Sequence, residues 1–148
     1  MAQNTPSEDL TIVDSLVQLS FLIQAVLLRI GTARDLSIIQ IRLLGILRDR
    51  ELGMMEVAKV LNLDKSSVTG LVDRAERRGL VQRTTTPDDG RAIRVSVTPT
   101  GRELIAEVSG EIEREIHTLV AELSDKEQKQ LTAIASRIFV VHLELLAG

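Results

Sequence analysis

Small hydroxyl side chains, a glycine and two arginines fall on one side of a single predicted helix. That combination suits contact with the edges of nucleic-acid bases. The segment Lys65–Arg78 reads Lys-Ser-Ser-Val-Thr-Gly-Leu-Val-Asp-Arg-Ala-Glu-Arg-Arg. At about 100° per residue, Val68, Leu71, Val72 and Ala75 make one apolar stripe. Ser66, Gly70, Asp73 and Arg77 lie opposite it. Thr69 sits on one flank, Ser67 and Arg74 on the other, and Lys65 opens the helix. Hydroxyls bond base edges, glycine admits a close backbone, and arginine suits phosphate or guanine. Taken alone, the same face also describes an ordinary solvated helix.

A second group surrounds the turn Pro87-Asp88-Asp89-Gly90: Arg83, Asp89, Arg91 and Arg94. An arginine at a hairpin tip can enter a narrow minor groove, where the potential is most negative. Asp89, two residues before Arg91, can hold its guanidinium in a fork. The alternative is a solvated turn with an incidental ion pair.

These residues need a scaffold, and the hydrophobic pattern predicts one. Leu10–Ile30 reads as a helix apolar around most of its circumference, after a frayed tail over residues 1–8 and before a break at Gly31–Asp35. Ser37 and Gln40 form a capping box for a second helix ending near Arg50. Met54, Val57, Ala58 and Leu61 mark a short helix, about Met55–Leu61, followed by a tight turn at Asn62-Leu63-Asp64. Asp64 is placed to cap Lys65–Arg78, and Gly79 to stop it. Leu80–Thr86 and Arg91–Thr98 then read as two strands. In the second, Ile93, Val95 and Val97 alternate with Arg94 and Ser96, which predicts one buried face. Thr98-Pro99 opens a helix to about Leu123, and Ser124 with Glu127 opens a last one to about Leu146.

Two short helices on a tight turn, followed at once by a hairpin, describe a winged helix-turn-helix. A helix fits the major groove of B-DNA, and a hairpin beside it reaches the minor groove. The expected fold is mostly α with a small β-hairpin wing. One cooperative unit is expected over residues 1–148, with the winged lobe at 36–98.

Composition narrows the classes of function. The 148 residues include no cysteine, which excludes a disulfide scaffold, a thiolate metal site and a thiol redox sensor. Phe21 and Phe139 are the only Phe, Tyr or Trp residues, which argues against a platform for stacking single-stranded bases. The net charge of -3 is uneven. Residues 53–98 hold 8 Lys+Arg against 6 Asp+Glu, and the remainder 10 against 15, so the basic part is the predicted lobe. The polar N-terminus lacks the positive stretch of a signal peptide. Leu10–Ile30, interrupted by Asp14, Ser15, Gln18, Ser20, Gln24 and Arg29, is expected to fall short of a membrane helix. A cytoplasmic protein with no membrane partner is the expectation.

The chain resembles the MarR-type (multiple antibiotic resistance regulator) transcription factors over about residues 10–146. The resemblance rests on Leu71-Val-Asp-Arg-Ala-Glu-Arg-Arg-Gly-Leu-Val-Gln-Arg83, on Pro87-Asp-Asp-Gly-Arg91 with its Asp-x-Arg motif at 89–91, and on Val97-Thr98-Pro99-Thr100-Gly101. It implies an obligate homodimer clasped through helices 10–30 and 99–146. The last helix supplies Leu131, Ile134, Ile138 and Phe139 as apolar surface that solitary soluble proteins rarely leave bare. It further implies sequence-specific binding of double-stranded DNA at a pseudo-palindromic operator, with repression as the usual outcome. The DNA-binding residues expected are Lys65, Ser66, Ser67, Thr69, Gly70, Arg74, Arg77, Asp89, Arg91 and Arg94. Three positions depart from the family pattern: Gly70 and Gly90 stand where longer polar or basic residues are frequent, and Met55 where Ser or Thr usually caps a helix.

The resemblance also implies release by a small-molecule effector. Arg29, Arg34 and Arg42 are candidates to hold its carboxylate, against the plainer reading of solvated ion pairs. No cofactor is expected. His117 with Glu113 four residues before it makes a metal pair conceivable, but a surface histidine is the simpler reading. Phosphate-loop, nucleophile-elbow and zincin motifs are missing, so no enzyme is expected. The alternative to a regulator is a helical dimerisation or adaptor protein that uses its winged helix for protein contacts.

Overall fold

Helices begin where the chain supplies a side chain for the first unpaired amides. The computed structural model describes residues 10–85 and 92–147, with side chains through Leu143. Its elements are α1 (Ile12–Thr32), α2 (Ile38–Leu47), β1 (Leu52–Gly53), α3 (Met54–Leu61), α4 (Lys65–Arg77), β2 (Val81–Thr85), β3 (Ile93–Val97), α5 (Pro99–Leu119) and α6 (Asp125–Ala147). Thr11 accepts from the Asp14 amide at 3.1 Å. The Ser37–Gln40 box closes at 3.2 and 2.8 Å, and the Ser124–Glu127 box at the same two lengths. α5 ends four residues before the expected Leu123.

The start of α3 departs from the expectation about Met55. The helix begins one residue earlier, with Gly53 as its cap residue, and Met55 is 84% exposed inside it. The Glu56 carboxylate accepts from the Gly53 amide at 3.1 Å, so the helix start is served without a hydroxyl at position 55.

The hairpin strands form a three-stranded antiparallel sheet in the order β1-β3-β2. Leu52 pairs with Val95 and Gly53 with Arg94; Val81 pairs with Val97 and Thr85 with Ile93. The two-residue β1 was not expected. It converts β3 from an edge into the central strand, and this corrects the predicted alternation. Val95, Ser96 and Val97 are all buried, while Ile93 near the strand start is 43% exposed.

The chain divides into two units, residues 1–112 and 113–148. The first holds the core. Leu43, Leu44 and Leu47 of α2, Val57 and Leu61 of α3, Val68, Leu71, Val72 and Ala75 of α4, Val81, Val95 and Val97 of the sheet and Ile105 and Val108 of α5 are buried together with Val26 and Ile30. Each buried Leu, Ile or Val side chain contributes about 1.5–3 kcal/mol of transfer free energy.

Apolar surface outside this core is extensive. In α1, Ile12, Val13, Leu16, Phe21, Leu22 and Leu28 are exposed, and in α6 Leu131, Ile134, Ile138, Phe139 and Val141 are exposed. By length and composition α1 is also apolar enough to cross a membrane, which corrects the reading of Leu10–Ile30 as too polar. The interruptions are mostly Ser and Gln, and only Asp14 and Arg29 carry charge. A helix that buries its apolar face against a protein partner meets the same criterion.

Candidate nucleic-acid interface

The pose of α4 follows from its two ends and its stripe. Asn62 turns the chain with a left-handed φ of 53°, and the Leu63 amide bonds the Ala58 carbonyl at 2.9 Å. Asp64 then caps α4, accepting from the Ser67 amide at 2.7 Å and the Ser66 hydroxyl at 2.8 Å. Gly79 leaves the helix at φ 70°. Val68, Leu71, Val72 and Ala75, each at most 1% exposed, press one face into the core. The opposite face is therefore fixed outward.

Lys65, Ser66, Ser67, Thr69, Arg74 and Arg77 are exposed, and Gly70 is half-buried. The Ser66 hydroxyl donates to Asp64, and the Thr69 hydroxyl donates to the Lys65 carbonyl at 2.9 Å. What each then offers outward is acceptor lone pairs, which suit the amino groups of adenine or cytosine in a major groove. Gly70 has a further consequence. A Cβ there would lie 3.2 Å from the Arg74 Nη1. The missing side chain gives the arginine head a seat on the middle of the outward face.

Arg83 corrects the expectation of an outward hairpin arginine. It donates from Nη2 to Asp73 Oδ1 at 2.6 Å and from Nη1 to Glu76 Oε1 at 2.8 Å, and its side chain is 23% exposed. Its own amide bonds Glu76 Oε2 at 3.2 Å. The Asp73 carboxylate foremost holds its guanidinium above the usual arginine range. Arg83 thus ties β2 to α4 and neutralises two carboxylates on the candidate interface. Sequence reasoning missed this clamp. Arg94, half-buried on β3, keeps its Nη1 3.7 Å from Glu56 Oε1. Asp89 and Arg91 lie outside the described residues.

The cap of α4 carries a pH dependence. The Ser67 amide, then the Ser66 and Ser67 side chains, hold the Asp64 carboxyl below its ordinary value of 3.8. A lowered carboxylate stabilises the fold fully above its unfolded pKa, and that contribution is lost as pH falls through the lowered value. Asp64→Asn keeps a capping side chain but cannot titrate. In thermal unfolding from pH 7 downward, the wild type is expected to lose more stability below pH 3.8 than Asp64→Asn does. Parallel curves would remove Asp64 from the acid transition.

The expected effector and metal positions resolve differently. Arg34 is engaged by Glu107 and Glu111 at 3.0 and 2.6 Å. A polar cleft between the end of α2 and the sheet is lined by Arg48, Arg50, Gln82, Ser96 and Arg102, among others. Arg50 and Arg102 donate there to the carbonyls of Ile46 and Arg48 at 3.0 and 2.7 Å, so they complete the end of α2. His117 and Glu113 stand 3.7 Å apart and exposed. Among the described residues, no three acidic or histidine side chains converge on one point.

Comparison with known proteins identifies the lobe. The MarR family profile matches residues 34–92. An uncharacterized HTH-type transcriptional regulator, YdgJ of Bacillus subtilis, is 31% identical over 88 residues, covering 60% of this chain and 54% of the relative. The chain spans about half the length of the curated relatives it matches. A crystal structure of MarR superposes with a TM-score of 0.80 at 20% identity, covering 96% of this chain and 97% of the other. The YusO protein of Bacillus subtilis gives 0.67 at 26%, covering 84% and 89%.

Proposed function

We propose that the chain is a member of the MarR family, and from that premise that it is a cytoplasmic, non-enzymatic transcriptional regulator that binds a pseudo-palindromic operator in double-stranded DNA as a homodimer. The observation that carries this is the outward face of α4. Short hydroxyls, a glycine and two arginines stand on a helix whose other face is locked in the core beside a small sheet. Ser66, Ser67 and Thr69 meet base edges and Arg74, seated over Gly70, reaches guanine or phosphate. Lys65 and Arg77 meet phosphates, and the wing residues Asp89, Arg91 and Arg94 flank the minor groove.

The homodimer clasps through helices 10–30 and 99–146, with the winged lobe at 36–98 as the DNA-binding part. The exposed apolar residues of α1 and α6 support this, since such surface on a soluble protein calls for a partner. A two-fold pair sets two copies of α4 about 34–36 Å apart, one turn of DNA. Bound at a promoter, the dimer represses. A small-molecule effector releases it by binding one spacing of the lobes better than the other.

Footprinting on the DNA upstream of the protein's own coding sequence tests the reading. Two protected half-sites one turn apart are expected. Arg91→Ala should weaken binding and lower the slope of log affinity against log salt by about 1. An unchanged slope removes Arg91 from phosphate contact. No protection at any low salt concentration overturns DNA binding in favour of an adaptor.

A further inference from the structure

The C-terminal end of α4 is held by more than its apolar stripe. Arg78, its cap residue, reaches 43 residues back along the chain. Its Nη1 donates to the Asp35 carbonyl at 2.6 Å and its Nη2 to the Arg34 carbonyl at 3.1 Å. These two carbonyls sit in the turn that ends α1. That turn is stiff: Asp35 has a left-handed φ of 52°, and the Leu36 amide bonds the Gly31 carbonyl at 2.8 Å. A Cβ at Gly31 would collide with the Leu36 carbonyl, so the turn has little room to shift. Arg34 then extends the chain of contacts. Its Nη1 donates to the Ile30 carbonyl at 3.2 Å, and its Nη2 pairs with Glu107 and Glu111, one turn apart on α5. The Arg34 side chain is 19% exposed, and its two carboxylate partners hold its pKa above the usual arginine range.

We propose that Arg78 is a positioning residue that locks the end of α4 to the α1–α2 turn, and that Arg34 passes this lock to α5 through Glu107 and Glu111. The end of α4 thereby registers a displacement of α5. The planar guanidinium meets the two carbonyls with two separate nitrogens held in a fixed fork; a lysine must reach both from a single nitrogen with no fixed geometry, and so holds them less well. The contribution of each exposed pair to stability is small. The consequence is for position: moving α5 shifts the turn, and the turn carries the end of α4. This inference is independent of the DNA-binding reading, because every contact lies within the chain.

Hydrogen exchange on the full-length protein without DNA tests it. The probes are the amides of Arg78, Gly79 and Leu80, which bond the carbonyls of Arg74, Glu76 and Ala75. Arg78→Gln is expected to accelerate their exchange about five-fold, and Arg78→Lys by a smaller factor. The double variant Glu107→Gln/Glu111→Gln should accelerate the same amides, although neither substituted group touches them. Adding Arg78→Gln to that pair should leave the rate near that of Arg78→Gln alone. Factors that multiply, carboxylate variants that loosen only residues 30–36, or a uniform acceleration across the lobe would each overturn the proposal. If Arg78→Gln fails to fold, Arg78→Lys in its place completes the cycle.

Discussion

Replacing Gly101 with alanine is expected to lower the unfolding free energy by about 3 kcal/mol, the upper end of what overpacking costs. Gly101 lies in the first turn of α5 and is buried. A Cβ there would stand 2.9 Å from the Leu80 carbonyl carbon, and closer still to its oxygen. Neither backbone can yield easily. The Thr98 amide donates to the Leu80 carbonyl at 3.1 Å, the Thr98 hydroxyl donates to the Gly79 carbonyl at 2.6 Å, and the same hydroxyl accepts from the Gly101 amide at 3.0 Å. These bonds join the exit of α4 to the start of α5, so the added methyl must break the clasp or push α5 away. Urea denaturation should show a lower midpoint with an unchanged slope. Gly45→Ala is the contrast: nothing lies within 4 Å of a Cβ there, and a helix-interior alanine should stabilise by about 0.5–1 kcal/mol. Equal midpoints for Gly101→Ala and the wild type would show that the clasp is dispensable.

The second large effect concerns assembly. On the proposed homodimer, Ile134→Glu with Ile138→Glu is expected to yield a monomer and to weaken binding to a two-half-site duplex about 100-fold or more. Both residues lie one turn apart on α6 and are 52% and 57% exposed in the single chain. Changes at exposed positions usually leave stability within about 0.5 kcal/mol, so the winged lobe should keep its own unfolding transition. What is lost is the second lobe held at a fixed distance, and with it a gain in affinity of roughly 10²–10⁴. Sedimentation equilibrium reads the mass and a mobility-shift titration reads the affinity. A variant that remains dimeric would remove this face of α6 from the interface. A monomer that binds the full site as tightly as the wild type would overturn the two-lobe grip.

Features that depend on neighbours a few residues away were legible in the chain itself. The capping boxes at Ser37 and Ser124, the Asp64 cap and the stop at Gly79 each join groups within about one helical turn. The stripe of Val68, Leu71, Val72 and Ala75 repeats with the period of the helix, so the outward set of α4 followed from counting. The motifs at 71–83, 87–91 and 97–101 also sufficed to suggest the family. Asp89 and Arg91 remain as the sequence left them, because they lie outside the described residues.

Tertiary structure alone decided the remainder, because partner choice across a fold is set by which segments meet and not by spacing along the chain. β1 is two residues long and has no pattern of its own; pairing with β3 creates it, and that pairing makes β3 the central strand. Arg83 and Arg78 look like two more surface cations in a basic segment, yet one clamps the sheet to α4 and the other grips a turn far back in the chain. Gly101 reads as an ordinary glycine of a helix start until the Leu80 carbonyl is set against it. Periodicity and caps are local energies and are written locally; the contacts that orient the outward face of α4 arise from loops closed over tens of residues, which only the folded chain brings together.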